Sequence, residues 1–525
     1  MNPDNEPFSQ NKYLQAGKHQ LLRVIFSRST VILLALLLNF LLMFAVLMPW
    51  MQKLPILLGG VEVFTALMLI HVLNSRDNPS IKLSWCIVIA ILPVFGAALY
   101  LFTRFDLGHR LARLVQGETR RTSAIYISHP GPAMEKLKQC DRDFHNLAHY
   151  MYRHGGYPVY ENTTVQYFPL GEDKFTEMLI QLEKAEKFIF LEYFFIGPSY
   201  MWDTILEILK RKAKHGVEVR VMYDGSCAVS FLPYSYPKEL AAFGIQAKMF
   251  SPFLPFISTH YNNRDHRKIL VIDGHTAFTG GVNLQDRYIN RKEVYGHWKD
   301  TAVMVQGDAV RSFTLMFLQM WNANEKVKTY EPYLPVCRKM EGAEGFVIPY
   351  GVSPIDGENM GKLVYLNMIH QAKEYLYIMT PYLILDSEMN TALQFAAKRG
   401  VDVRLILPHI PDKKSAFALA KSHYPELVQA GVKIYEYTPG FIHAKTFLSD
   451  DTAAVVGTVN LDYRSLYLNF ECAAYLYKVP ALQEIRRDFE ETLKKSHLIT
   501  PEDIRNEKLS TRLTARLLKI IAPLM

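Results

Sequence analysis

The sequence has few cysteines, and none of them is arranged to bind a metal or to form a disulfide framework. It contains five in 525 residues: Cys86, Cys140, Cys227, Cys337 and Cys472. No C-x-x-C pair and no Cys/His cluster at zinc spacing occurs among them. We therefore expect no structural metal and no disulfide scaffold, and the candidate site described below requires no metal or other cofactor.

A strong excess of one charge is also missing. The chain has 59 Lys and Arg against 51 Asp and Glu, a net charge of +8. This modest basic balance suits an anionic membrane surface or a phosphate substrate, and a solvated basic surface explains it equally well. It is too weak to predict a nucleic-acid partner.

Long apolar runs do occur, and all of them lie in the first 105 residues. The runs cover about residues 30–50, 54–73 and 83–102, and Glu62 is the one acidic or basic residue in them. Each is long enough for a bilayer core of about 30 Å. A cleaved signal peptide is disfavoured because no small-residue cleavage site follows the first run. We predict a multi-pass membrane anchor over residues 1–105, which places the protein in the cell membrane.

The charges beside these runs give opposing signals on orientation. The basic N-terminus and the loop with Arg76 and Lys82 favour the cytoplasm, so three spans would place the rest of the chain on the outer face. A cluster after the third run favours the opposite answer: Arg104, Arg110, Arg113, Arg120 and Arg121. We predict the outer face, and a re-entrant first or second segment is the alternative.

The remainder of the chain reads as a duplicated α/β unit. A helix over Lys174–Lys187 and an aromatic strand over Phe188–Phe195 recur within Asn367–Leu383. The buried strand GVEVRV at Gly216 recurs as GVDVRL at Gly400. The pattern predicts a connector over residues 106–155 and two halves, 156–335 and 336–500. Residues 501–525 predict a basic amphipathic helix that either lies in the membrane interface or packs on the domain.

Each half contains the same set of polar residues at the same spacing. The first set is His266, Lys268, Asp273 and Asn283, with a Gly280-Gly281 turn before the asparagine. The second set begins 177 residues later and consists of His443, Lys445, Asp450 and Asn460, after Gly457-Thr458. Identical intervals in two copies indicate two halves of one site. A histidine and a lysine two residues apart on a strand point to the same face.

This chemistry suits a phosphodiester. One histidine can attack phosphorus, and the other can protonate the leaving alkoxide and then deprotonate an acceptor. The lysines and the amides of Asn283 and Asn460 can stabilise the charged phosphoryl oxygens. Asp300, 34 residues after His266, and Glu471, 28 residues after His443, are candidates to fix the histidine tautomers. Asp273 and Asp450 fall on the opposite strand face beside a turn, and we interpret them as structural.

The pattern H-x-K-x-x-x-x-D followed by Gly-Gly or Gly-Thr and asparagine resembles the phospholipase D superfamily. The segments HRKILVIDGHTAFTGGVNLQDRYIN, YGHWKD, TPYLILD and RDNPSIKLSW are similar to bacterial membrane-anchored cardiolipin synthases over about residues 55–525. The run at 30–50 departs from two-span members. The resemblance implies two pseudo-symmetric α/β/α sandwich halves behind transmembrane helices, with one active site between them.

The resemblance also implies a reaction and its residues. Two phosphatidylglycerols in the bilayer would be joined into cardiolipin and glycerol through a phosphohistidine. The catalytic set would be His266, Lys268, Asp273, His443, Lys445 and Asp450. His266 would be the nucleophile and His443 the general acid and base, although the symmetry of the sequence does not separate the two.

Other readings share part of this pattern. A phospholipase D hydrolase would use water as acceptor, and another phosphatidyltransferase would use a different alcohol. A nuclease would be expected to have stripes of basic residues and no long apolar runs. An inactive scaffold predicts a lost histidine or lysine in one half, and both sets are intact. The sequence does not specify an oligomeric state.

Overall fold

The computed structural model describes residues 55–104, 107–129, 131–252 and 262–524. The chain divides into two compact units. The first consists of Met1–Gly108 with Phe253–Thr259, and the second of His109–Pro252 with His260–Met525.

In the first unit three helices pack around a small apolar core. The helices are α1 (Pro55–Leu73), α2 (Pro79–Ile91) and α3 (Pro93–Arg104). Their buried side chains are Met68, Val72, Ile89, Ala97 and Tyr100. The backbones of α2 and α3 approach so closely that a Cβ at Gly96 would lie 2.8 Å from the Val88 carbonyl oxygen. Glycine therefore allows this helix contact.

The predicted spans correspond only in part to these helices. The run at 30–50 lies outside the described residues, and the run at 54–73 matches α1. The run at 83–102 is divided between α2 and α3 at Leu92. Pro93 begins the new helix, since proline has no N–H to donate to the preceding turn. In the part of the chain that the structure describes, no helix is both long enough and apolar enough to cross a membrane.

The segment before the first sheet is helical. It contains α4 (Leu107–Ser123), α5 (Gly131–Cys140) and α6 (Arg142–Tyr150). The Phe144 ring of α6 stacks on Tyr477, with 4.0 Å between the ring centroids. Because Tyr477 belongs to the second sheet, this part of the predicted connector packs on the second half of the chain.

The first sheet has seven strands in the order β1-β8-β6-β5-β2-β3-β4. The strands are β1 (Thr163–Phe168), β2 (Phe188–Tyr193), β3 (Glu218–Asp224), β4 (Ile245–Phe250), β5 (Lys268–Ile272), β6 (Thr276–Gly280) and β8 (Ala302–Gly307). The helices of this half are α7 (Gly171–Glu183), α8 (Tyr200–Lys214), α9 (Cys227–Ser230), α10 (Tyr236–Ala241) and α11 (Val310–Trp321). β2, β3 and β4 are parallel, as the buried apolar runs predict, and β5 pairs antiparallel with β2.

The second sheet repeats this order and adds one strand at its edge. Its order is β17-β12-β11-β10-β14-β15-β16-β9. The strands are β9 (Phe346–Val352), β10 (Tyr375–Met379), β11 (Asp402–Pro408), β12 (Lys433–Tyr437), β14 (Thr446–Ser449), β15 (Ala453–Gly457), β16 (Glu471–Tyr477) and β17 (Ser496–Leu498). The helices are α12 (Met360–Gln371), α13 (Ser387–Lys398), α14 (Lys414–Gln429), α15 (Tyr463–Tyr467) and α16 (Ala481–Lys494). The duplication seen in the sequence is therefore a duplication of sheet topology.

The two sheets pack against each other through one apolar core. Val271 and Val305 of the first sheet and Tyr377 and Val456 of the second are buried in it, together with residues of α11 and α16. The outer face of each sheet is covered by its own helices in a separate core. A third, two-stranded sheet joins the halves where β7 (His297–Lys299) pairs in parallel with β13 (Gly440–Ile442).

The C-terminal segment forms two helices where the sequence predicts one. They are α17 (Pro501–Asn506) and α18 (Leu509–Ile521). Helix α18 packs on α14, and Lys421 of α14 forms an ion pair of 2.5 Å with Glu507 in the link between the two helices. Leu509, Leu513 and Leu517 of α18 remain exposed.

Candidate active site

Each motif histidine is positioned by the backbone of the other half. The His266 N–H donates to the Phe470 carbonyl at 2.9 Å, and the Phe470 N–H donates to the Arg264 carbonyl at 2.8 Å. In the same way the His443 N–H donates to the Lys299 carbonyl at 2.7 Å, directly after β13 pairs with β7. The two motifs therefore lie in one buried region that neither half forms alone.

The carboxylates predicted to orient the histidines make crossed pairs. His266 Nδ1 lies 2.7 Å from Glu471 Oε2, and His443 Nδ1 lies 2.7 Å from Asp300 Oδ2. The spacing along the chain associated Asp300 with His266 and Glu471 with His443, and the structure reverses that association. The reason is the pairing above, which brings the residue after Phe470 to His266 and the residue after Lys299 to His443. A neutral imidazole whose Nδ1–H is held by a carboxylate has a free lone pair on Nε2.

Burial controls the charge of this site. It lowers the pKa of His266 to about 4 and that of His443 well below its ordinary value, so both imidazoles are neutral at neutral pH. Burial likewise raises the pKa of Asp300 to about 6. It acts in the same direction on Glu471, but His266 and Lys268 outweigh it and hold the pKa of Glu471 below its usual range.

The two motif lysines are fully buried beside the histidines. Lys268 Nζ donates to the His266 carbonyl at 2.6 Å, and Lys445 Nζ donates to the His443 carbonyl. Burial lowers the pKa of Lys268 to about 8 and that of Lys445 to about 7. Among residues 55–104, 107–129, 131–252 and 262–524, no group of three or more His, Cys, Asp or Glu side chains is arranged to hold a metal ion.

The glycine turns explain a difference between the two motifs. At Gly281 a Cβ would lie 1.9 Å from Asp300 Oδ1, so a side chain there would displace this carboxylate. The corresponding residue in the second half is Thr458, whose hydroxyl donates to Glu471. Gly281 thus leaves room for the Asp300 carboxylate, whereas Thr458 hydrogen-bonds to the Glu471 carboxylate.

The two asparagines are buried in the site region but have different contacts. Asn283 Oδ1 accepts from the Phe195 N–H at 3.1 Å, and its Nδ2 donates to the Tyr288 hydroxyl at 2.8 Å. Asn460 Oδ1 is buried and has no hydrogen-bond partner in the described part of the chain. One N–H of Asn283 therefore binds the protein itself, whereas the Asn460 amide oxygen is buried without a partner among the described residues.

The aspartates of the motif lie at the far ends of their strands. Asp273 accepts from the N–H groups of Glu186, Lys187 and Phe188 at 2.7–2.8 Å. Asp450 accepts from those of residues 373–375 at 2.8–3.0 Å. Both have positive φ, 53° in each case. Their carboxylates fasten the chain before β2 and β10, which is the kind of contact that a structural role for Asp273 and Asp450 requires.

Sequence reasoning missed several residues around the histidines. Lys174 of α7 is fully buried, lies 3.2 Å from the Tyr193 hydroxyl, and has its pKa lowered to about 7 by burial. Its one sequence signal is a position four residues before the buried Met178, on the apolar face of the helix. Aromatic rings also contact the imidazoles: Phe194 is 5.0 Å from His266, and Tyr288 and Trp298 are 5.5 and 5.3 Å from His443 between ring centroids.

Comparison with known proteins agrees with this geometry. The family model described as "Cardiolipin synthase, PLD-like domain" matches residues 178–321 and 365–493, and a "Phospholipase_D-nuclease N-terminal" model matches residues 63–104. An uncharacterized protein of Streptococcus mutans is 52% identical over 456 residues, covering 87% of this chain and 99% of that protein. A cardiolipin synthase of Geobacillus kaustophilus is 34% identical over 478 residues, covering 90% and 93%.

A solved structure shows the same fold at low identity. The phosphatidylserine synthase of Haemophilus influenzae superposes with a TM-score of 0.50 at 14% identity, covering 69% of this chain and 93% of that one. The two sheets, the paired histidine motifs and the matched family model lead to the same assignment. The chain belongs to the cardiolipin synthase family of phospholipase D-like proteins.

Proposed function

We propose that the protein is a cardiolipin synthase that transfers a phosphatidyl group from one phosphatidylglycerol to another, releasing glycerol. The observation that carries this proposal is the crossed arrangement at the centre of the second unit. Two neutral imidazoles each have Nδ1 held by a buried carboxylate of the other half, beside two buried lysines. Such a site can hold a covalent phosphoryl intermediate without a cofactor.

In the first step Nε2 of His266 attacks phosphorus. A P–N bond forms while the bond from phosphorus to the glycerol oxygen breaks. His443 donates a proton to that oxygen, so glycerol leaves as a neutral alcohol. The resting imidazole of His443 is neutral, and the negative phosphodiester raises its pKa, so His443 takes up this proton from solvent when the lipid binds.

In the second step a hydroxyl of another phosphatidylglycerol attacks the phosphohistidine. His443 accepts the hydroxyl proton, the new P–O bond forms, and the P–N bond to His266 breaks. The product is cardiolipin, His266 is again a neutral imidazole, and His443 returns its proton to solvent when the product leaves. The choice of His266 as nucleophile follows the family resemblance.

The other site residues stabilise charge or hold position. Lys268 and Lys445 bring positive charge to the phosphoryl oxygens, with Asn283 and Asn460 as further polar contacts. Glu471 orients His266 and Asp300 orients His443, as positioning residues.

We also propose that residues 1–105 anchor the chain in the cell membrane, with the catalytic halves on the outer face. The apolar runs support this, and α1 to α3 expose large apolar side chains that include Val63, Leu67, Ile70 and Leu83. Exposed leucines of α18 beside Arg512 and Arg516 suit the membrane interface. The proposed boundaries are 106–155 for the connector, 156–335 and 336–500 for the halves, and 501–525 for the interfacial segment.

Hydrolysis is the second candidate, because its first step is the same. If water replaces the second lipid, the phosphohistidine yields phosphatidic acid. An anchor favours a lipid acceptor, since it confines the enzyme to the surface where phosphatidylglycerol is concentrated.

Purified protein given labelled phosphatidylglycerol in vesicles should form cardiolipin and glycerol. His266→Ala and His443→Ala should each lower turnover by at least about 100-fold, because each removes a group that bonds phosphorus or moves a proton. His275→Ala is the matched control, since His275 is an exposed histidine on the turn after β5. Phosphatidic acid as the sole product, or near-normal turnover in either site variant, would contradict the proposal.

The pH dependence should show the lowered lysine pKa values. Lys445 and Lys268 lose their protons as pH rises through about 7 and about 8, while His266 stays neutral down to about 4. We therefore expect kcat/KM for phosphatidylglycerol to be highest between about pH 6 and 7, to fall above that range as the lysines lose their protons, and to fall below about pH 6 as Asp300 is protonated. Circular dichroism at each pH controls for unfolding. A kcat/KM that stays constant to pH 10 would show that catalysis does not need protonated Lys268 and Lys445.

The membrane proposal predicts that the chain stays in the membrane and that its catalytic halves lie on the outer face. After an alkaline carbonate wash the full chain should remain with the membrane, because apolar segments hold it there. Protease added to intact cells should cleave the catalytic halves, and protease added to inverted vesicles should not. Release by carbonate would exclude the anchor, and the reverse protease pattern would place the site on the cytoplasmic face.

A further inference from the structure

One arginine, Arg287, contacts the same aromatic rings as the second histidine. Arg287 lies in the short 3-10 turn Asp286–Ile289, and its guanidinium is partly buried. Its Cζ lies 5.2 Å from the centroid of the Tyr288 ring and 5.5 Å from that of Trp298. Within the described ranges no carboxylate is within 4.0 Å of it, and its Nε is buried without a hydrogen-bond partner.

The same two rings contact His443. The centroids of Tyr288 and Trp298 lie 5.5 and 5.3 Å from that of the His443 imidazole. The guanidinium and the imidazole are therefore separated by no more than one aromatic ring. A cation held against apolar rings in a partly buried position is poorly screened, so an anion that reaches it is bound strongly.

The second half has an arginine at the corresponding position, but that one is occupied. Arg464 follows Arg287 by 177 residues, the interval that also separates the two histidines. Its Nη1 and Nη2 donate to the carbonyl oxygen and the side-chain oxygen of Asn262, both at 3.2 Å. The duplicated arginine thus binds Asn262 in one half, whereas Arg287 hydrogen-bonds to the Tyr288 hydroxyl and has no carboxylate within 4.0 Å in the described ranges.

We propose that Arg287 binds the phosphate of the acceptor phosphatidylglycerol. This inference rests on the proposed function and adds the second lipid to it. The donor phosphate lies between the two histidines, and the glycerol that leaves carries no phosphate. The acceptor brings a second phosphate, joined through its glycerol to the hydroxyl that His443 deprotonates.

The acceptor phosphate must therefore lie one glycerol away from His443. Arg287 is on that side of the site, and a guanidinium binds a phosphodiester through two parallel N–H donors. Water and free glycerol have no phosphate for Arg287 to bind. The arginine thus favours a lipid acceptor over these small ones, which is the distinction between a synthase and a hydrolase.

The test compares acceptors on one enzyme preparation. In phosphatidylglycerol vesicles, Arg287→Gln should form cardiolipin roughly tenfold more slowly or worse, since it loses a charge-assisted contact to the acceptor. Exchange of labelled free glycerol into phosphatidylglycerol should stay within about twofold, because that reaction uses no second phosphate. The share of phosphatidic acid among the products should rise.

Two further variants complete the experiment. Arg287→Lys keeps the positive charge but loses the two parallel N–H donors of the guanidinium, so it should recover part of the rate of cardiolipin formation. Arg291→Gln is the matched control, because Arg291 is exposed on the same segment and lies over Tyr200, 3.7 Å from its ring centroid. It should leave both rates unchanged.

The outcomes separate this inference from the function on which it rests. An equal fall of both rates in Arg287→Gln would overturn the inference, because the residue would then serve the shared first step or the fold. An unchanged cardiolipin rate would overturn it as well. Wild-type protein that exchanges glycerol but never forms cardiolipin would overturn the proposed function and the acceptor role together.

Discussion

The site depends on two hydrogen bonds that cross between the halves, from the imidazole of His266 to Glu471 and from that of His443 to Asp300. Each links a histidine to a carboxylate of the other half: Glu471 begins β16, and Asp300 lies between β7 and β8. Because the pairs are reciprocal, neither half can orient its own histidine. The backbone bonds at Phe470 and Lys299 place these partners, and the core between the sheets holds both halves at the required separation. The site therefore needs both copies of the motif, because each copy supplies the carboxylate that orients the histidine of the other.

Burial turns this arrangement into a reactive one. Two imidazoles, two ammonium groups and two carboxylates are buried together. Burial keeps the imidazoles neutral and lowers the pKa of Lys268 to about 8 and that of Lys445 to about 7, so these basic groups carry less positive charge than they would in water. A phosphodiester supplies the missing negative charge and raises the pKa of every basic group around it. Substrate binding and protonation of the site are therefore coupled.

Much of the fold followed from repeated sequence patterns, and the errors arose where distant segments meet. The repeats at Gly216 and Gly400 indicated a duplicated α/β unit, and the two sheets have the same order over seven strands. The histidine, lysine and carboxylate sets were identifiable by type, but the partner of each histidine depends on strand pairing between the halves, which spacing along one half cannot report. The burial of Lys174 and the position of Arg287 beside the rings that contact His443 depend likewise on contacts between distant segments. The break between α2 and α3 is local, because Pro93 cannot continue the preceding helix.

The central claim is that one histidine carries the phosphatidyl group while the other moves protons. The most direct measurement mixes excess enzyme with labelled phosphatidylglycerol, quenches in alkali to preserve a P–N bond, and maps the label by proteolysis and mass spectrometry. The account predicts label on the peptide that contains His266 and none on the peptide that contains His443. Label on His443, or turnover with no covalent intermediate at early times, would contradict it.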